Sequence, residues 1–228
     1  MFYILLALSA SLFLGCGSYE EGINFYAAKC GNDYYNVDTQ FCYDAKIYDK
    51  FSGNKEEFID VRDGKAYKYV TIGTQTWMAE NLRYEASNTR CYDDNPDNCK
   101  IYGMLYDWNT ANEVCPPGWH LPNDTEWFTL RNFTGRDDAK LMANVFWIYG
   151  KGTDEFGFTA LPGGYYRDEG YFLNIENQAI FWSATTGSVT GSAHVHHFTL
   201  QLGVREIDGL YIDNSWVNVR CVCQAPAL

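Results

Sequence analysis

A cysteine and a histidine share the stretch CPPGWHLPNDTEW at residues 115 to 127, and together they are the residue types of a thiol nucleophile and its base. Such a pair needs the base within hydrogen-bond reach of the nucleophile and a third group that orients the base. His120 has no nucleophile as a neighbour, so we expect a hydrogen-bonded structural residue there. The same stretch is consistent with a structural role, because Cys115 is available for a disulfide and Asn123 is placed to cap a helix.

Two histidines are separated by one valine in SAHVHHFTLQLG. Residues two apart on a strand point to the same face, so His194 and His196 predict the paired arrangement that many transition-metal sites use. Zinc needs at least one more ligand, and spacing identifies none. The alternative interpretation is a polar strand end without a metal.

The loop CYDDNPDNC opens like a calcium loop, because Asp93, Asn95 and Asp97 alternate as oxygen donors do there. The rest of the segment does not match a calcium loop, since Asn98 stands where a glycine turns such a loop and Met104 stands where a glutamate closes it. We therefore expect no cofactor and a solvated acidic loop, with Ca²⁺ bound in this loop as the alternative.

The chain that must position these side chains has 228 residues, which is enough for one large domain with a substantial core. With 46% hydrophobic and 20% charged residues, it has the composition of a folded protein. Its net charge of -12 repels phosphate backbones and anionic headgroups, which excludes nucleic acid as a partner and leaves a lipid anchor as the expected membrane contact. Aromatic residues make up 17%, more than we expect the core alone to hold.

Residues 1–16 have the features of an export signal. The uncharged apolar run from Phe2 to Leu14 is too short to span a bilayer and has the length of a signal's apolar region. Leu14-Gly15-Cys16 resembles the lipobox of bacterial lipoproteins, in which the cysteine is lipidated, although Phe13 stands where leucine is usual. We expect an exported lipoprotein, anchored through Cys16 at the bacterial cell envelope or surface; ordinary signal cleavage is the alternative.

Seven further cysteines predict a disulfide framework, because an exported protein meets an oxidising compartment. The simplest pairing is Cys30 with Cys42, Cys91 with Cys99, and Cys115 with Cys221, which leaves Cys223 over. Spacing does not determine connectivity. Cys223 is free, bonded to another chain, or bonded to Cys115 in place of Cys221. No basic cluster near Cys221 and Cys223 would lower a thiol pKa, which argues against a reactive pair.

The composition and the hydrophobic pattern of the chain change near residue 60. Residues 17–59 are polar and interrupted by turn residues, which predicts a linker with one small disulfide loop, and residues 60–224 predict the folded domain. KAYKYVTIGTQTWMAENL predicts a hairpin. A helix should start at Asn123, with Glu126 as reciprocal cap, and end at Gly135; a second should run from residue 137 or 138 to about Phe146. Glycine-separated short strands follow, so we expect an α+β fold with two helices and short, irregular, mainly antiparallel strands.

Six motifs then occur in a familiar order: IGTQTWMAENL, IYGMLYDW, CPPGWHLPNDTEW, GTDEFGFTALPGG, FWSATTG and VNVRCVC. In this order they resemble the Fibrobacter succinogenes major paralogous domain, a family of secreted and lipoprotein surface proteins, over residues 60 to 224. The resemblance implies a disulfide-stapled C-type lectin-like fold, with Cys115 bridged to the last strand and with Trp119 and Trp127 in the core. It also implies a distant relation to formylglycine-generating enzymes, which use a cysteine pair and a metal; Cys221 and Cys223 are the close pair for that alternative.

C-type lectins bind sugar through calcium held near the end of the chain, and this sequence departs from their pattern. In the matching segment Val217 and Asn218 occupy the positions where lectins have Asn and Asp, and no Glu-Pro-Asn precedes them. We therefore expect that the lectin metal site is missing here.

Surplus aromatic residues in the C-terminal half suggest a binding surface, since flat rings with polar edges stack on sugar faces. The candidates are Tyr165, Tyr166, Tyr171, Phe172, Trp182, Tyr211 and Trp216. Part of this set is expected in the core. The function we expect is ligand binding or adhesion, without catalysis, to an extracellular polysaccharide; a protein-interaction or structural surface protein is the alternative, because such rings also anchor protein interfaces.

Overall fold

The computed structural model describes residues 57–167, 169–200 and 209–224, together with the backbone of four short strands between residues 27 and 49. Cys16 and its predicted lipidation, and the predicted pair of Cys30 and Cys42, lie outside the described side chains. No helix among the described residues is both long enough and apolar enough to cross a membrane.

Four strands lie within the segment predicted as a linker. They are β1 (Ala27–Cys30), β2 (Asp33–Asn36), β3 (Gln40–Tyr43) and β4 (Lys46–Asp49). β1 pairs with β2 and β3 with β4, both antiparallel. The turn residues that predicted a linker therefore also indicate hairpins, because such residues connect antiparallel strands.

The described remainder of the chain is a mixed α+β structure with more strands than helices. Its strands are β5 (Glu57–Ile59), β6 (Ala66–Ile72), β7 (Gln75–Met78), β8 (Thr89–Arg90), β9 (Leu105–Tyr106), β10 (Gly163–Arg167), β11 (Tyr171–Ile175), β12 (Ala179–Thr186), β13 (Ser192–Phe198), β14 (Leu210–Tyr211), β15 (Ser215–Asn218) and β16 (Val222–Gln224). Its helices are α1 (Pro96–Tyr102), α2 (Trp108–Glu113) and α3 (Asp124–Phe133).

Two sheets organise these strands. One has the order β16-β7-β6-β5, so the last described strand pairs with the predicted hairpin of β6 and β7. The other has the order β11-β10-β15-β12-β13-β14, with β9 pairing to β15 and β8 to β9. All described strand pairs except that of β12 with β15 are antiparallel, as predicted.

Helix α3 confirms the strongest sequence prediction. The Asn123 side chain accepts from the Glu126 backbone N–H at 3.1 Å, and the Glu126 carboxylate accepts from the Asn123 N–H at 2.9 Å. This reciprocal cap satisfies two otherwise unpaired donors at the helix start. After the helix, Gly135 takes a φ of 74°, a left-handed conformation that glycine adopts without steric cost.

The second predicted helix is wrong. A single 3₁₀ turn spans Asp138–Lys140, and the chain then pairs with a distant segment: the Ala143 N–H donates to the Ala160 carbonyl at 3.0 Å, and the Ala160 N–H to the Leu141 carbonyl at 2.8 Å. Phe146 has a φ of 67°, which a helix excludes. The backbone groups of Leu141 and Ala143, which a helix would have bonded locally, therefore bond to the distant residue Ala160.

Three hydrophobic clusters form the core of the part of the chain that the structure describes. The first surrounds Trp182 and Trp119, and the second surrounds Trp77, Trp127 and Phe158 between α3 and the sheets. The third is small and contains Tyr92, Leu105 and Tyr166. Trp119 and Trp127 are both buried, as the family resemblance implied, although they belong to different clusters.

Candidate functional site

A groove of about 680 Å³ opens beside β6, within the range typical of ligand sites. One side comes from β6 and the segment after β7, and the other from the end of α1 and the loop at 156–161. Its wall combines rings, amides, hydroxyls and charges: Lys68, Tyr69, Val70, Thr71, Ala79, Glu80, Asn81, Arg83, Lys100, Ile101, Phe156, Gly157, Thr159 and Leu161. None of the aromatic residues predicted to bind a ligand lies in this wall.

Polar groups on the β6 side of the groove are held by one another. Glu80 accepts from the Lys68 backbone N–H at 2.8 Å and from Arg83 Nη1 at 3.1 Å, while Arg83 Nη2 donates to the Ala66 carbonyl. These bonds fix the directions in which the Glu80 carboxylate and the Arg83 guanidinium face. A polar wall ordered before a ligand arrives loses less entropy on binding.

Arg220 supports the groove from inside the protein. Its side chain is fully buried, and its guanidinium donates to the Asn81 side-chain oxygen and to the carbonyls of Phe158, Thr159 and Met78. Asn81 and Thr159 are themselves part of the groove wall. Burial lowers the pKa of Arg220 to about 9, against the opposing effect of Glu80 and Asp154, so the group stays cationic at neutral pH.

A second polar centre surrounds Asp124 at the start of α3. Its carboxylate accepts from His194 Nδ1 at 2.6 Å, from His196 Nε2 at 3.2 Å and from Ser183 Oγ at 2.7 Å. The Asp124 N–H donates to Thr185 Oγ1 at 3.1 Å. The arrangement joins α3 to β12 and β13.

The Asp124 centre has perturbed ionisation. Burial by itself would raise the pKa of Asp124, but the hydrogen bonds from His196, Ser183 and His194 hold that pKa well below its usual value. Because an ionised carboxylate only accepts, both imidazoles donate to it, His194 through Nδ1 and His196 through Nε2.

His196 is buried in a setting that disfavours its charged form. Its ring stacks on Trp127 with a centroid distance of 4.9 Å, and its Nδ1 has no hydrogen-bond partner in the described part of the chain. Burial lowers the pKa of His196, the bond to Asp124 opposes this, and the charge of Arg131 lowers the pKa further. We conclude that His196 is a neutral structural residue at pH 7.

His194 differs from His196 because it is partly exposed and lines a cavity of about 160 Å³. Ser192 and Tyr211 also line that cavity. The sequence correctly placed His194 and His196 on one face of a strand. Their shared partner, Asp124, is 70 residues from His194 in sequence and could not be found by spacing.

No group of three or more His, Cys, Asp or Glu side chains within the described residues is placed to hold a metal ion. The calcium-like loop folds as a 3₁₀ turn, Tyr92–Asp94, followed by α1. Asn95 caps α1 by accepting from the Asp97 N–H at 3.0 Å, and Asp97 pairs with Lys100 at 2.7 Å. Asn95 and Asp97 thus belong to a helix start that the sequence prediction missed, although Asn95-Pro96 is a typical cap signal.

The predicted aromatic set does not form one surface. Trp182 is fully buried and donates its Nε1–H to the Tyr106 carbonyl at 2.8 Å, so assigning it to a ligand surface was wrong. Tyr166 is also buried, and it pairs across strands with Phe172 and Trp216. Tyr165 is half-buried and packs against the first core cluster.

Tyr171 and Tyr211 are the most exposed members of that set, at 62% and 54%. Tyr171 lies on β11 and Tyr211 on β14, at opposite ends of the sheet order. Five strand spacings separate them, which is about 24 Å. They therefore cannot contact the same sugar ring.

His120 is hydrogen-bonded, as predicted, but it is not a core residue. Its side chain is 47% exposed and its Nε2 lies 2.6 Å from Glu126 Oε1. The backbones of His120 and Val222 bond in both directions at 3.0 Å, which joins the approach to α3 to the last strand. His120 therefore contacts the carboxylate that caps α3, which gives it a structural role at the start of that helix.

Two predicted disulfides are confirmed, Cys91 with Cys99 and Cys115 with Cys221. The expectation that Cys223 is left over is wrong, since Cys223 is also disulfide-bonded. The other four cysteines with described side chains pair with one another, so its partner lies outside them. Cys221 and Cys223 are therefore both oxidised and buried, and they do not form the free thiol pair that an oxidase would need.

Asn218 occupies the position where the lectin resemblance would place a calcium ligand. It is fully buried, and its Nδ2 donates to the carbonyls of Tyr102 and Met104, each at 3.0 Å. Its oxygen sits against Gly163, where a Cβ would come within 2.3 Å. Asn218 is thus committed to joining β15 to the α1–β9 connection.

Comparison with known proteins gives one result. Residues 70–223 match the family model described as the Fibrobacter succinogenes major domain, in agreement with the resemblance of the six motifs. No curated protein and no solved structure matches the chain.

Proposed function

The chain belongs to the Fibrobacter succinogenes major domain family, and we propose that it is a ligand-binding or adhesion protein of the cell surface that binds an extracellular polysaccharide in the groove beside β6. In this proposal the protein is an exported lipoprotein anchored through Cys16. It acts by binding, without catalysis and without a cofactor. Its domain has a C-type lectin-like fold.

The observation that carries the proposal is the composition of the groove wall. Tyr69 and Phe156 supply rings, Asn81 and Thr159 supply amide and hydroxyl groups, and Glu80 and Arg83 are already ordered. Saccharides present apolar ring faces and polar hydroxyl edges, and a wall of this mixed kind suits both.

The test is binding of the whole mature chain to insoluble cellulose and to soluble glycans, with variants that separate the groove from other surfaces. Phe156→Ala removes a groove ring and should weaken binding about ten-fold, the order of one lost stacking contact. Tyr171→Ala removes an exposed ring outside the groove and serves as the matched control. Equal loss in both variants, or loss in Tyr171→Ala alone, would reject the groove as the binding site.

Protein binding is the second candidate, and one observation favours it. The segment at 145–149 exposes Val145, Phe146, Ile148 and Tyr149, each by 49% or more. Contiguous exposed apolar side chains of this kind are typical of interaction surfaces. Binding of an envelope-protein partner that is lost in Ile148→Asp, by a chain that binds no glycan, would support this function over the first.

A further inference from the structure

The groove beside β6 differs in charge from the protein as a whole. The chain has a net charge of -12, yet three of the four charged side chains in the groove wall are cationic: Lys68, Arg83 and Lys100, against Glu80. Arg220 adds a fourth cation directly behind the wall. The carboxylates near these four cations are those of Glu80, Asp97 and Asp154, together with Glu57, which lies opposite Lys68 in the register of β5 and β6.

Three of these carboxylates, those of Glu80, Asp97 and Asp154, are already engaged. Glu80 is bonded to Arg83, and Asp97 to Lys100. Asp154 accepts from the Thr159 N–H at 2.7 Å and from Thr159 Oγ1 at 2.8 Å. Among the described residues, Lys68 Nζ has no ion-pair partner and Arg220 has no carboxylate within ion-pair distance. Two cations of the groove are therefore without a paired anion.

Arg220 is the more consequential of the two. Its guanidinium is fully buried, and its Nη1 and Nη2 groups donate to carbonyl and amide oxygens, which accept these hydrogen bonds without neutralising its charge. A charge with low-dielectric surroundings acts over a longer distance than one at the surface, where water and salt screen it. The Asn81 and Thr159 wall lies directly between this charge and the groove.

We infer that the groove selects anionic glycans, those carrying uronic acid carboxylates, over neutral ones. The inference rests on the proposed function, because it names the class of polysaccharide that the same groove takes. Lys68 forms the direct ion pair with a ligand carboxylate, and the buried Arg220 supplies a background attraction. A neutral glucan keeps the ring contacts and loses both electrostatic contributions.

The experiment compares one backbone with and without charge. Oligogalacturonides and their methyl esters share the same sugar rings, but the esters carry no carboxylate charge. Isothermal titration of the full chain at low salt should give at least about ten-fold tighter binding of the acid. The difference should shrink at about 1 M salt, where the screening length falls to about 3 Å.

Variants locate the effect. Lys68→Gln should reduce affinity for the acid about three-fold, as for one exposed ion pair, and leave the ester unchanged. Lys151→Gln removes an exposed lysine outside the groove wall and should change neither. Arg220 is left intact in these tests because a change there would disturb the fold.

The outcomes distinguish the two proposals. Equal binding of acid and ester, insensitive to salt and to Lys68→Gln, overturns the anionic preference and leaves glycan binding standing. Binding of the ester but not the acid overturns it also. Failure of acid, ester and neutral glucans to bind overturns the proposed function, and the anionic preference with it.

Discussion

Asp124 and His194 are joined by a 2.6 Å hydrogen bond that ties the first turn of α3 to β13 across 70 residues of sequence. The same carboxylate also accepts from His196 and Ser183, so a single side chain connects the helix to two neighbouring strands. Hydrogen bonds to an ionised group contribute more to stability than neutral ones. The Asp124 centre is therefore expected to hold α3 in place.

Asp124→Asn should lower the free energy of unfolding by about 2–3 kcal/mol, because an amide NH₂ would face donors from His194, His196 or Ser183. Urea unfolding at pH 7 measures the change. Asp93→Asn is the control, since Asp93 is an exposed carboxylate and should shift stability by no more than about 0.5 kcal/mol. Similar values for the two variants would show that the centre contributes little.

Stability should fall in two stages as the pH is lowered. The unfolded chain protonates His196 near pH 6.5, whereas the folded chain resists because burial lowers that pKa. Below about pH 6.5 the unfolded state thus binds more protons, and the free energy of unfolding decreases by up to about 1.4 kcal/mol per pH unit. Asp124, whose folded pKa is also depressed, adds a second loss below about pH 4.

Urea unfolding from pH 8 to pH 3 measures both stages. In His196→Gln the first stage should diminish, because the group that titrates differently in the two states is gone. His120→Gln provides the comparison, since the His120 side chain is about half exposed and lies outside the core. An unchanged slope between pH 6.5 and 5 in His196→Gln would assign the acid sensitivity to other groups.

The two described disulfides should contribute unequally to stability. Cys115 and Cys221 are 106 residues apart and Cys91 and Cys99 only 8, and a longer closed loop restricts the unfolded chain more. Double replacement of Cys115 and Cys221 by alanine should cost about 5 kcal/mol, and that of Cys91 and Cys99 about 2.5 kcal/mol, in the chain-entropy account. Guanidinium unfolding of both double variants tests the order.

A thiol assay in denaturant should label none of Cys91, Cys99, Cys115, Cys221 and Cys223 before reduction. Each of these cysteines is disulfide-bonded, and reduction should release all five. Peptide mapping of the oxidised protein gives the connectivity directly. Label on Cys223 without reduction would contradict the bonded state of that residue.

Replacing predicted aromatic residues should separate core from surface. Trp182→Ala removes a fully buried ring and its bond to Tyr106, and should cost about 3–5 kcal/mol. Tyr171→Ala removes a ring that is 62% exposed, and should change stability by less than about 0.5 kcal/mol. Thermal unfolding of the two variants would show whether Trp182 belongs to the core.

Local sequence signals predicted local structure well. Asn123 and Glu126 are three residues apart, so the capping box and the start of α3 could be read without knowledge of the fold. The alternation around Gly73 predicted β6 and β7 for the same reason. Where a distant partner competed, local signals failed: the stripe from residue 138 to Phe146 is not a helix, because the backbone of Leu141 and Ala143 bonds to Ala160.

The functional candidates show a similar division. The sequence identified His194 and His196 as a pair, but Asp124 joins them only because α3 packs against β13. The groove went unpredicted because its wall comes from four segments, from Lys68 on β6 to Leu161, and no single stretch carries the pattern. The aromatic content led to the wrong prediction that Trp182 contacts a ligand, because composition does not reveal which rings are buried.

By itself the sequence determined the family, the α+β class, the hairpin, the capped helix and two disulfides, because each depends on residue order or on short-range hydrogen bonding. The tertiary structure alone decided which rings are exposed, which carboxylate orients the histidines, and that an arginine with no ion-pair partner among the described residues lies behind a groove. Those properties depend on residues distant in sequence being brought within a few ångströms, and burial then changes the energetic weight of each charge and hydrogen bond.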